Sequence, residues 1–162
     1  MKSPVQLQHN GREAAGFVES GATLLRFLRE VLGDLTPKAG CHQGTCGTCT
    51  VLVDGVPRLS CITLAEDCGG SIVETVAGLS RDGTLDPLQQ SILDGFAAQC
   101  GFCTPGMIMA AKALLREKPQ PNRDDIIEAL SGNICRCTGY EPIIAAVLAA
   151  SGRTQTHTVE VG

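Results

Sequence analysis

Val5 and Leu7 alternate with polar residues, Asn10-Gly11 supplies a two-residue turn, and Phe17-Val18 closes a returning segment, so the pattern predicts an opening β-hairpin. The period then changes. Leu24, Leu25, Phe27, Leu28, Val31 and Leu32 recur at three- and four-residue spacing behind Thr23, a capping residue, and ahead of Gly33, which predicts one helix. Thr50 to Val53, the turn Asp54-Gly55 and Val56 to Ser60 predict a second hairpin, and Ile72 to Val76 a further strand. An open sheet packed on one helix is expected. Between Ala77 and Thr84 the stretch G-L-S-R-D-G-T loses periodicity and gains turn residues, so a first domain is placed at 1–77 and a linker at 78–84.

Everything after the linker carries helical signals. Asp86 and Pro87 start a helix bearing Leu88, Ile92 and Phe96. Thr104 and Pro105 repeat that start ahead of Met107, Ile108, Ala111, Leu114 and Leu115, with Pro119 beyond the end. Asn122 with Asp125 opens a third helix with Ile126, Ile127 and Leu130 inward, and Pro142 lies in the first turn of a fourth that carries Ile143, Ile144, Val147 and Leu148. The expected fold class is α+β: a sheet domain followed by an all-α four-helix bundle over 85–152, with a loose tail at 153–162.

At 162 residues the chain holds one ordinary domain or two small ones, and small domains need a staple beyond their apolar core. Nine cysteines supply it. Met1 to Gln8 shows no apolar core of signal-peptide length and no twin arginine, so reduced, metal-bound thiolates in a cytoplasmic protein are expected rather than disulfides. The formal charge of −4, four Phe, one Tyr and no Trp argue against a nucleic-acid surface. No apolar run approaches the roughly 18 residues of a membrane span.

The first cysteine set, Cys41, Cys46, Cys49 and Cys61, reads C-x4-C-x2-C-x11-C, the plant-type ferredoxin spacing of a 2Fe-2S cluster. Gly40, Gly44 and Gly47 suit a loop that must bring backbone N–H groups to sulfur and bend where a Cβ would clash. Zinc also accepts four thiolates, although its usual spacing is two short pairs. A Rieske centre needs two histidines, and His42 is the only one near either set. The second set, Cys100, Cys103, Cys135 and Cys137, reads C-x2-C-x31-C-x1-C and on spacing alone fits zinc or iron–sulfur. Its pairs fall in the loops between first and second, and third and fourth, predicted helices. Cys103 and Cys137 precede helix starts, whose partial positive charge favours a thiolate-ligated cluster.

The strings G-C-H-Q-G-T-C-G-T-C-T-V-L-V-D-G, Q-C-G-F-C-T-P-G-M-I-M-A and G-N-I-C-R-C-T-G-Y closely resemble the small iron–sulfur subunit of the molybdenum hydroxylases, the family of xanthine dehydrogenase, aldehyde oxidoreductase, carbon monoxide dehydrogenase and 4-hydroxybenzoyl-CoA reductase. The resemblance runs from about Val5 to Leu148 and takes in eight cysteines. It implies two 2Fe-2S clusters, a ferredoxin-like β-grasp N-terminal domain and a helical C-terminal domain. It also implies a large molybdopterin subunit and a medium FAD subunit as partners, as a heterotrimer or its dimer. By the same resemblance the C-terminal cluster lies nearer molybdenum, Gln99 and Cys137 match positions that approach the pterin, and the N-terminal cluster passes electrons towards FAD. Neither membrane nor nucleic acid is an expected partner.

Arg136, between two ligands, suits hydrogen bonding to the cluster or partner as well as it suits an exposed position. Cys68 belongs to neither set and is expected as a small buried hydrophobe. His9 and His157 are expected to face solvent, His42 to be a loop residue, and Met107 and Met109 to be packing. The chain reads as an electron-transfer subunit with no catalytic residue of its own. Its rivals are a free-standing two-cluster ferredoxin and a zinc-stabilised interaction module. An aromatic heterocycle, an aldehyde or an aromatic acyl-CoA are all substrates handled by relatives.

Overall fold

The computed structural model describes residues 2–152. The expected tail at 153–162 and His157 lie outside the described residues. Strands β1 (Lys2–His9) and β2 (Arg12–Glu19) pair antiparallel from Lys2↔Glu19 to His9↔Arg12. Asn10 at φ 51° and Gly11 at φ 80° make the left-handed turn that two-residue hairpins need. Alternation puts Val5, Leu7 and Val18 inward and leaves Phe17 66% exposed.

Thr23 caps helix α1 (Leu24–Arg26), its Oγ1 accepting from Arg26 N at 3.2 Å. One continuous α-helix does not follow. From Phe27 to Val31 the winding loosens to a π turn, with Leu32 N donating to Phe27 O at 3.0 Å. The turn is tight against the sheet: a Cβ on Gly16 would lie 2.4 Å from Val31 Cγ1. Leu24, Phe27 and Leu28 are completely buried here. Each such burial contributes roughly 1.5–3 kcal/mol.

Strands β3 (Thr50–Val53), β4 (Val56–Leu59) and β5 (Ile72–Glu74) complete a mixed five-stranded sheet in the order β2-β1-β5-β3-β4, with β1 and β5 parallel and the other neighbours antiparallel. Strand β5 stops two residues short of the expected Val76 because Val76–Gly78 turns into a short 3-10 segment.

Four further helices follow: α2 (Pro87–Asp94), α3 (Thr104–Glu117), α4 (Arg123–Leu130) and α5 (Glu141–Ala150). Asp86 with Gln89 and Asn122 with Asp125 form the capping boxes of α2 and α4. Helix α2 packs on α3 and α5, and α4 on α3 and α5. Their shared core includes Leu88, Met107, Ile126, Leu130, Ile143 and Val147. It also includes Leu52 of β3, against which α3 packs, so the two halves meet through apolar contact. Arg116 of α3 adds a forked ion pair to Glu74 of β5.

Three side-chain placements also need correction. Phe96 is 87% exposed at φ 47°, because α2 ends at Asp94 and the chain reverses; Ala97 takes the buried place instead. Ile127, expected inward, is 45% exposed, since α4 covers the core with Ile126 and Leu130 alone. His9 does not face solvent: its side chain is 16% exposed and its Nε2 lies 3.0 Å from Asp34 Oδ2.

Candidate metal centres

The loop between the π turn and β3 carries Cys41, Cys46 and Cys49, and the turn after β4 brings back Cys61, since β3 and β4 return the chain to Cys49 (Ser60 N to Cys49 O, 3.3 Å). The thiols gather in twos. Cys41 is in hydrogen-bonding reach of Cys46, and Cys61 of Cys49. The second set repeats this from the loops α2–α3 and α4–α5: Cys100 and Cys137 lie 3.5 Å apart at sulfur, and Cys103 is in reach of Cys135. Among the described residues no three of His, Cys, Asp and Glu converge as a single ion requires. Two thiols beside two thiols is the donor set of a binuclear centre, with a pair for each iron.

Backbone N–H groups point at the sulfurs, as a thiolate cluster needs. Gln43 N and Thr45 N donate to Cys41 Sγ at 3.5 and 3.3 Å. With the Thr45 side chain as the largest cause, they hold the Cys41 thiol down at about 5. Burial pushes Cys61 up to about 11, against the opposing Gly44 N–H, and Cys103 up to about 12. Cys135 is buried too, which raises it, yet the Thr138 hydroxyl and the N–H groups of Cys137 and Thr138 bring it down to about 7. The Phe102 N–H lowers Cys100, and sharing with Cys100 raises Cys137. In the second set, then, each pair combines one thiol held towards thiolate with one held towards the neutral form, so filling the site must release protons.

The three loop glycines have different roles. A Cβ on Gly40 would sit 2.9 Å from Cys46 Sγ and 2.6 Å from Thr48 Oγ1, inside the cradle of the first set. Gly44, at φ 77°, turns its N–H to Cys61. Gly47, at φ 72°, bends where a Cβ would clash, and what it makes room for is the other half of the protein: a Cβ there would meet Gly132 O at 2.4 Å and the Asn133 amide at 2.7 Å. Cys68 is 2% exposed, apart from both sets, with its Sγ directed to Leu64 O at 3.5 Å.

Accessibility divides the sets. Cys49, Cys61 and Cys135 are buried, Cys41, Cys46 and Cys103 partly so, and Cys100 and Cys137 exposed. Gln99 and Arg136, beside that open pair, are exposed as well. Helix α3 starts at the second set, with Cys103 itself as N-cap and Thr104 and Pro105 as its first residues, one position earlier than the expected Thr104 cap. Helix α5 starts four residues after Cys137, at Glu141, with Tyr140 as its N-cap. The sequence reading missed Tyr140 as a site residue: its hydroxyl accepts from Cys135 N at 2.9 Å and donates to Asn133 O at 3.1 Å. Only a tyrosine's length within the C-R-C-T-G-Y string hinted at this.

Two family models match, a "2Fe-2S iron-sulfur cluster binding domain" over residues 18–92 and a "2Fe-2S binding domain" over residues 75–148. The nicotine 6-hydroxylase small subunit of Paenarthrobacter nicotinovorans is 46% identical over 92% of this chain and 90% of that protein. The nicotinate dehydrogenase small FeS subunit of Eubacterium barkeri is 45% identical over 90% of this chain and 93% of that protein. Aldehyde oxidoreductase of Megalodesulfovibrio gigas is 40% identical over 88% of this chain but only 16% of its own, so there the stretch is part of a longer polypeptide. In the crystal structure of quinoline 2-oxidoreductase from Pseudomonas putida 86, one chain superposes with a TM-score of 0.90 at 46% identity, covering 93% of this chain and 94% of that one.

Proposed function

Since the chain belongs to the small iron–sulfur subunits of the molybdenum hydroxylases, an electron-transfer role with two 2Fe-2S clusters is its ground state, and we propose which residues carry it and in what order. Cys41 with Cys46, and Cys49 with Cys61, each hold one iron of the first cluster. Cys100 with Cys137, and Cys103 with Cys135, do so for the second. The observation that carries this is the pairing of all eight thiols in twos. Bound there, each cluster supplies a site that accepts and returns one electron. The chain's own work is to deprotonate the thiols, aim N–H groups at the sulfurs and exclude water from the inner pairs.

Residues 1–77 serve as a β-grasp, ferredoxin-like domain, 78–84 as linker and 85–152 as a four-helix bundle. The linker reading is supported by the tight turn in which Arg81 and Thr84 bond to each other across Asp82-Gly83. The open Cys100–Cys137 pair is the face presented to a large molybdopterin subunit, with Gln99 and Cys137 towards the pterin and Arg136 at the rim. The first set passes electrons on to an FAD subunit, in a heterotrimer or its dimer. The cytoplasm suits reduced thiolates, and among the described residues no helix is long and apolar enough to cross a membrane. The names of the nicotine, nicotinate and quinoline relatives favour an N-heteroaromatic substrate, hydroxylated on the large subunit.

Iron, acid-labile sulfide and zinc analysis of the purified complex, with its visible spectrum, tests the reading. The expected result is a red-brown protein with two paramagnetic signals on reduction. A colourless protein holding stoichiometric zinc would overturn it in favour of an interaction module. Purification of the chain as a stable, fully loaded monomer free of partners would favour the free-standing ferredoxin.

A further inference from the structure

The two cysteine loops touch each other directly. Ile134 N, one residue before Cys135, donates to the carbonyl of Cys46 at 2.9 Å. Next to it Asn133, 5% exposed, sends its Nδ2 across to Gly47 O at 2.9 Å and to Thr50 Oγ1 at 3.3 Å. Gly47 O also receives Thr50 Oγ1 at 2.7 Å. Backbone presses on backbone around this knot, since a Cβ on Gly106 of α3 would be 2.2 Å from Gly47 O. A buried amide in a protein interior is retained only where its hydrogen bonds are made, and here both bonds of the Nδ2 run to the opposite half of the molecule.

From these contacts, and resting on the proposed ligand sets, we propose that Asn133 is a positioning residue for electron transfer between the two clusters. It holds the Cys46 carbonyl against the Ile134 N–H, so that a ligand of the first cluster and a ligand of the second are joined by one hydrogen bond and a few covalent bonds. One electron leaves one cluster and enters the other; no bond is made or broken and no proton need move. Thr50 anchors the same amide from the sheet side. Both residues act through the Cys46–Ile134 bond rather than by touching iron.

The test uses the complete complex carrying Asn133→Ala, Thr50→Val and both changes together. Iron and sulfide content, each cluster's midpoint potential, the magnetic coupling between the two reduced clusters and the rate of electron exchange between them are measured. Absence of two clusters from the unaltered complex would defeat the ligand assignment itself. With both clusters present, the expected result is unchanged iron and potentials, weakened coupling and slowed exchange in each variant, and a double variant little worse than the stronger single one, as partners in one contact behave. Asn133→Ser, which keeps a donor, should recover part of the coupling. Unchanged coupling and exchange in Thr50→Val and Asn133→Ala with iron retained would overturn the proposal. Loss of iron from both variants would overturn it too, because the residues would then be serving the fold of the loops.

Discussion

The Tyr140 hydroxyl lies 2.9 Å from the backbone nitrogen of Cys135 and thereby bolts the second cysteine loop across its own turn. The same hydroxyl donates to Asn133 O at 3.1 Å. Tyr140 achieves this from φ 71°, a left-handed conformation that a bulky residue adopts only when its surroundings enforce it.

Tyr140→Phe keeps the ring and loses both bonds, leaving the Cys135 N–H without its partner. Stranding a buried donor costs about 1–3 kcal/mol. The variant should release iron from the second set at a lower denaturant concentration than the parent, with the first set's signal unaltered. Equal loss from both sets would show that the hydroxyl does not act locally.

The contact between the halves should depend on close approach and little on charge. Arg116 and Glu74 fork together, but their side chains are 41% and 26% exposed, and pairs of this kind contribute about 0–1 kcal/mol. Arg116→Ala should therefore shift the unfolding midpoint slightly and keep both clusters. Gly106→Ala drives a Cβ to within 2.2 Å of Gly47 O, which is backbone and cannot swing away. Overpacking typically costs about 1–3 kcal/mol, and here it should also lower iron retention. A larger loss for Arg116→Ala than for Gly106→Ala would reverse this ranking.

Local chemistry was readable in the sequence wherever one residue decides one turn. Asn10-Gly11 and Asp54-Gly55 gave both hairpins, and Asp86 and Asn122 gave helix starts, because caps and left-handed turns depend on nearest neighbours. The grouping of the cysteines into two sets of four, with Cys68 left over, was readable from spacing, although spacing alone left zinc or iron–sulfur open for the second set. What escaped depends on distant partners. His9 looked like a surface histidine until Asp34 closed over it, 25 residues away. Gly47 read as a loop glycine that bends where a Cβ would clash, but nothing local names what it would clash with, which is Asn133, 86 residues on. Phe96 followed the helical period one turn too far, since the period carries no mark of where α2 gives way to its reversal.

Asp34 should give the protein an acid-sensitive term. Burial alone would raise its carboxyl, but His9, Thr36 and Thr75 together, with Thr75 Oγ1 at 2.6 Å and Thr36 Oγ1 at 2.6 Å, hold it well below the usual carboxylate range. A depressed folded-state value means stability that is present above the ordinary value of about 4 and lost as pH falls towards the folded one. Asp34→Asn should thus be less stable than the parent at pH 7, and the gap should shrink as pH drops below about 4. Denaturant midpoints of the two proteins across that range check it. A gap that widens on acidification would contradict the sign.

The order of the two sets can be separated by emptying one of them. Cys49 is 2% exposed and pairs with Cys61, so Cys49→Ala should abolish the first cluster while the second, whose ligands lie in the other half, still assembles. If electrons enter at the open Cys100–Cys137 pair, substrate added to this complex should still reduce the second cluster in a single turnover, and FAD should stay oxidised. Gln99→Ala should act differently: exposed beside Cys100 and ligating nothing, it should slow entry with both clusters intact. Rapid-freeze paramagnetic resonance on each complex reads both outcomes. FAD reduction at the parent rate in Cys49→Ala would mean that the first set is not on the path. Failure of its remaining cluster to fill while molybdenum is reduced would mean that electrons enter through the first set, and that the open pair faces something other than the large subunit.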